Sequence, residues 1–201
     1  MINIIINVYG PPGFKTGINA QQTATADTHY IYLDNLPDTR YVSVGQSDRE
    51  IDFRTGGSRL EGFLIKFQTR QQCGQLVTLI NDARNYIGLE IFDGYVYAST
   101  SISGASQRFQ ISRVRVDDGR IYQINMKQEQ QKLLCWLDVD DSYKQSIVYN
   151  TPPIAVNTIR VAGQDGRQYG YASQYGFVGC IGAVMLNDRD VIDYKFVSSE
   201  R

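Results

Sequence analysis

The feature that most constrains this chain is a hydrophobic period of two. Within 62–69, Phe63, Ile65 and Phe67 share one face while Lys66 and Gln68 take the other. Within 121–127, Tyr122, Ile124 and Met126 alternate with Gln123, Asn125 and Lys127. Leu89 and Ile91 flank Glu90, and Leu133, Cys135, Leu137 and Val139 form another alternate set. Such alternation describes strands with one face in a core and the other in water. Turn signals cut the chain at short intervals: Asp93-Gly94, Asp118-Gly119 and Asp165-Gly166 tolerate positive φ, and Gly56-Gly57, Cys73-Gly74 and Ser103-Gly104 add further turns. The runs between them suit strands and are too short for helices. The pattern predicts an all-β antiparallel sandwich of jelly-roll type with roughly a dozen strands.

With 201 residues, no fixed repeat and no linker-like stretch, the economical expectation is one domain over 1–201. A hydrophobic share of 42% supports a core and excludes the disordered class. A net charge of −1 creates no field to gather nucleic acid or an anionic membrane. The densest basic cluster, Arg113, Arg115 and Arg120, is interrupted by Asp117 and Asp118, so nucleic acid is not an expected partner. The longest apolar run, Ile2 to Tyr9, falls far short of the roughly 20 residues a membrane helix needs, and no insertion is expected. No basic stretch and cleavage site mark a signal peptide, so Met1 reads as a natural start or one added to an excised piece. Cys73, Cys135 and Cys180 are widely spaced, which leaves one disulfide plus a thiol, or three thiols, both open.

The last third carries a more specific pattern: Phe177-Val178-Gly179-Cys180-Ile181-Gly182-Ala183-Val184-Met185-Leu186-Asn187. Upstream stand Phe67-Gln68-Thr69-Arg70 with Gly74 and Leu76, then Tyr86 to Asp93 with Gly94. Asp118-Gly119-Arg120 follows with Ile121-Tyr122, and finally Leu133 to Asp138 with Val139-Asp140. In this order the landmarks resemble laminin G-like (LNS) domains of the laminin, agrin, neurexin and contactin-associated type, over about residues 28–197. The neurexin-like members are the nearest in feel. The resemblance implies a sandwich whose rim loops bind partners. It also implies that Cys180 pairs with a downstream cysteine, which this chain lacks, so that staple is absent, cut off or replaced by Cys73 or Cys135. Within the motif, Ile181, Ala183 and Met185 alternate as a core face, and Gly179 and Gly182 allow close passage to a neighbouring strand.

Two long loops stand out, 14–27 and 163–175. The second mixes Tyr, Arg, Gly, Ser and Gln, the composition that paratopes use for rigid anchors and adaptable hydrogen bonds. Its Asp165, Arg167, Tyr169, Tyr171 and Tyr175 are the candidate partner-binding residues; the alternative is an ordinary loop whose tyrosines lean on the sandwich edge. No cofactor is expected. Calcium, the ion that many family members hold on the rim, would find only Ser101 and Asp165 here. One carboxylate with a hydroxyl makes a weak site.

Catalytic constellations are poorly supported. Asp138 and Asp140 would lie on one face of a strand, roughly 7 Å apart by strand rise. That spacing suits glycoside chemistry, but a solvated strand end and turn at Asp138 to Ser142 is the favoured reading. The only histidine, His29, has no nucleophile placed with it, and Cys135-Trp136 reads as core. The expectation is therefore a non-enzymatic, extracellular or cell-surface module that binds a protein ligand, as part of a larger multidomain protein. A carbohydrate or glycosaminoglycan-binding module is the alternative, and a concanavalin-like glycosidase is less favoured.

Overall fold

The computed structural model describes residues 29–32, 40–44, 51–82, 84–140, 142–148, 154–162 and 169–191. Within them the chain forms the expected antiparallel sandwich. One sheet runs in the order β1 (His29–Tyr32), β2 (Arg40–Val44), β13 (Gly179–Leu186), β4 (Gly62–Gln68), β9 (Ile121–Glu129), β10 (Lys132–Leu137) and β11 (Gln145–Val148). The short β14 (Arg189–Asp190) also pairs with β13. The other sheet runs β3 (Ile51–Arg59), β12 (Ala155–Val161), β5 (Gly74–Asp82), β6 (Asn85–Phe92), β7 (Tyr95–Ile102) and β8 (Ala105–Gln110).

The alternating sets meet between the sheets. Phe63, Ile65 and Phe67, Tyr122, Ile124 and Met126, and Leu133, Cys135 and Leu137 are all buried from one sheet. Leu79, Ile87, Leu89, Ile91, Val96 and Ala98 face them from the other, within one hydrophobic cluster. Each fully buried aliphatic or aromatic side chain contributes about 1.5–3 kcal/mol. Phe67 packs edge-on against Phe177 with ring centroids 6.3 Å apart, which joins the closing motif to the Phe-x-Thr landmark.

Turn chemistry holds at Asp93-Gly94 (φ 51° and 76°) and Ser103-Gly104 (φ 53° and 83°). Both pairs take the left-handed values that a two-residue hairpin needs. Gly56-Gly57 differs: it lies inside β3. The pairing with β12 jumps from Val156↔Ser58 to Thr158↔Arg54, so Thr55, Gly56 and Gly57 bulge opposite Asn157.

Two phases differ from expectation. On β13 the buried side chains are Ile181, Val184 and Leu186, while Ala183 and Met185 are only half-buried. The register with β4 shifts between Gly182 and Met185, and Ala183 has φ 44°. The bulge inserts one residue and reverses which face the rest of the strand presents. At the end of β10, the alternation stops at Leu137, because Asp138–Asp140 forms a 3-10 turn that leaves Val139 57% exposed.

All three cysteines are free thiols, which decides between the arrangements left open above. Gly179 is close-packed as expected: a Cβ there would collide with the Gln68 carbonyl oxygen. No helix among the described residues is long and apolar enough to cross a membrane.

Candidate functional site

The outer face of the six-stranded sheet is set by strand register. Across β5, β6, β7 and β8 run the rows Gln75–Glu90–Tyr97–Gln110, Thr78–Gly88–Ser99–Arg108 and Ile80–Tyr86–Ser101–Ser106. A period of two would give all of them to water. Instead, the segment approaching β13 crosses over this face, and Glu90 beneath it is fully buried.

The attachment is polar and dense. The Glu90 carboxylate accepts hydrogen bonds from the Ala172 amide (3.1 Å), the Ser173 amide (2.7 Å) and Arg108 Nε (2.8 Å). Gln75 Nε2 donates to the Ser173 carbonyl at 3.1 Å, and the Gln75 amide donates to the Tyr175 carbonyl at 3.0 Å. Ser99 Oγ donates to the Gly170 carbonyl at 3.2 Å. Further along, Gln71 holds both edges of the chain, donating to the Gly176 carbonyl and accepting from the Val178 amide at 2.6 Å. Thr69 Oγ1 donates to the Val178 carbonyl at 2.6 Å. A carboxylate with three charge-assisted donors is satisfied despite its burial, so Glu90 works as an internal clamp for the loop.

Tyr171 is the apolar peg of the same attachment. Its hydroxyl donates to the Val77 carbonyl (2.9 Å) and accepts from Thr78 Oγ1 (2.6 Å). Burial pushes this phenol well above the ordinary tyrosine range. Tyr169, Tyr171 and Tyr86 form a small aromatic cluster, with Tyr86 and Tyr169 edge-to-face at 5.0 Å. Burial, with Tyr169 adding to it, also raises the Tyr86 phenol.

Of the residues expected to meet a partner, Tyr169 and Tyr171 therefore point inward against the sheet. Tyr175 projects outward with 60% of its surface exposed. Asp165 and Arg167 lie outside the described residues. Ser101, the other calcium candidate, is buried and donates its hydroxyl proton to the Arg84 carbonyl at 2.6 Å. Among the described residues no group of three or more His, Cys, Asp or Glu is arranged to hold a metal ion. His29 lies on β1. Asp138 and Asp140 share a turn and are separately engaged. Asp138 Oδ1 accepts from the Gln123 and Val139 amides, and Asp140 Oδ1 from Ser142 Oγ at 2.7 Å.

Sequence reasoning missed Glu90, Arg108, Gln75 and Gly88. Two signals pointed to Glu90 and Gly88, an acid inside the apolar run Leu89-Glu90-Ile91 and a glycine inside a strand, and none to Arg108 or Gln75.

The motif residues converge in space, and comparison with known proteins matches that convergence. A family model for the laminin G domain matches residues 67–189. The chain belongs to the laminin G domain family. Its fold is similar to mouse laminin alpha1 chain domains LG4-5, with a TM-score of 0.62, 12% identity and coverage of 75% of this chain and 42% of that one. The LG1-3 region of the laminin alpha2 chain is similar with a TM-score of 0.54, 16% identity and coverage of 74% and 27%. This laminin G chain thus spans less than half the length of either laminin fragment. A search of curated protein sequences gave no match.

Proposed function

We propose that this laminin G domain, read as one unit over 1–201, is a non-enzymatic module that binds a protein ligand through its rim loop. Its setting is extracellular or at a cell surface, within a larger multidomain protein. The observation that carries the reading is the fastening of 169–178 to the sheet by Glu90, Gln75 and Tyr171, which holds Tyr175 outward on a fixed backbone. A loop ordered before binding loses less entropy when a partner arrives, and an exposed tyrosine on it is suited to be an anchor.

Surface plasmon resonance against a panel of extracellular ectodomains tests this. At least one partner is expected to bind, and Tyr175→Ala is expected to weaken it by about tenfold, the effect of losing a moderate hot spot. A blank panel with a folded domain, or binding indifferent to Tyr175→Ala, overturns it.

A further inference from the structure

Arg108 leaves the edge strand β8 opposite Ser99 and lies back across the sheet. Its guanidinium stands 4.0 Å from the Tyr97 ring centroid and 5.2 Å from that of Phe92. Nε donates to Glu90, whose carboxylate also holds two loop amides. Arginine carries five N–H donors, and only the Nε donor makes a hydrogen bond to the described residues. The side chain is 32% exposed. Three other arginines are placed differently. Arg115 is forked onto Asp117 and Arg160 onto Asp52, and Arg120 pairs with Asp118. Arg108 is thus a guanidinium fixed in plane by stacking and by its Nε bond, with its Nη edge unused by the described residues. Phe92 beside it is 36% exposed.

We infer that this face of β6–β8 is a carboxylate site, in which the Nη edge of Arg108 takes an acidic side chain and Phe92 takes an apolar group next to it. That the acid belongs to a protein partner rests on the reading above; the carboxylate site itself does not. A rigid guanidinium fork matches a planar carboxylate, and its ordering cost has been met before binding. A monoanion fits better than a polyanion, because Glu90 already shares the guanidinium and, among the described residues, no second cation joins the pair.

The test follows the Arg108 Nε–Hε resonance of the full chain by NMR during titration with phenylacetate, benzyl alcohol or inorganic sulfate. Phenylacetate is expected to give a saturable shift in the range of about 1–10 mM, as suits so small a ligand. Benzyl alcohol is expected to give none, and sulfate to bind several-fold more weakly. Arg108→Lys keeps a cation beside Glu90 but removes the fork. With the amide spectrum of β4 and β9 unchanged, it is expected to weaken the phenylacetate response, read at the Phe92 and Tyr97 rings, by about tenfold. Phe92→Ala is expected to weaken it by a smaller factor. No saturable shift, an equal response to benzyl alcohol, sulfate binding as tight as phenylacetate, or an undiminished response in Arg108→Lys each overturns the site. A positive titration beside a blank ectodomain panel supports the site and removes only the protein-partner reading.

Discussion

The hydroxyl of Tyr171 rests on the backbone of Gly88, in the space a side chain would fill on any other residue. A Cβ at Gly88 would collide with the Tyr171 ring and hydroxyl. The glycine in β6 and the tyrosine in the rim loop are thus two halves of one joint. Gly88→Ala is expected to destabilise the domain by about 1–3 kcal/mol, the usual range for overpacking. It is also expected to release the loop, seen as faster amide exchange at Ala172 and Ser173 than in β4. Unchanged exchange at those two amides would refute the joint.

Tyr171→Phe keeps the ring but strands two buried partners, the Val77 carbonyl and the Thr78 hydroxyl. Leaving buried polar groups unsatisfied costs about 1–3 kcal/mol. Chemical denaturation should show a lower midpoint at unchanged m-value. A loss below a few tenths of a kcal/mol would mean that these hydrogen bonds add nothing.

Asn187 ends the closing motif, and the structure gives it a task that the motif alone does not explain. Its Oδ1 accepts from the Glu61 (2.9 Å) and Gly62 (3.0 Å) amides, and its Nδ2 donates to the Arg59 carbonyl at 2.7 Å. Its own φ is 51°. It ties the β13–β14 turn to the bend between β3 and β4. Asn187→Ala is expected to cost about 1–2 kcal/mol, since water can replace part of these partly exposed contacts. Asn187→Gly separates the causes: it keeps the backbone angle, so any remaining loss belongs to the side-chain bonds.

Alkaline pH should reveal the buried thiol. Burial raises Cys135 from 9.0 to about 12. Above pH 9 the unfolded thiol ionises while the folded one stays protonated. The folded state then binds more protons, and its stability falls with rising pH. The contribution is intact below pH 9 and is lost progressively between 9 and about 12. Each such group adds a slope approaching about −1.4 kcal/mol per pH unit. Urea midpoints measured from pH 8 to 10 should fall less steeply in Cys135→Ala than in the parent. Parallel curves would contradict the assignment.

The sandwich was legible because its faces differ in polarity at every second residue, as in Phe63, Ile65 and Phe67, and because Asp93-Gly94 and Ser103-Gly104 are locally committed to hairpins. The site was legible only in part. Glu90 alternates correctly with Leu89 and Ile91, but alternation states which face a residue takes and not what lies over it. Ala172 and Ser173, which meet Glu90, come from 82 and 83 residues away in the chain, and no local pattern carries that distance. Tyr169 and Tyr171 have the composition of a contact surface because residues that suit an interface also suit a loop packed on its own sheet. Among the described candidates only Tyr175 points outward. Asp138 and Asp140 lie in a turn at the strand end, as their favoured reading had it, and their carboxylates accept from backbone amides and a serine hydroxyl there.

The bulge at Ala183 divides the closing strand into two half-strands of opposite parity. Gly179–Gly182 carries the inward side chain Ile181, whereas Val184 and Leu186 obey a count displaced by one. Deleting Ala183 would take out the extra residue and leave Val184 and Leu186 inward, in the same register with β4. Adding one residue at the same place would turn Val184 and Leu186 toward solvent and carry the Asn187 tie off its amides. For this strand the sign of a length change at Ala183, more than its size, governs what the domain will tolerate.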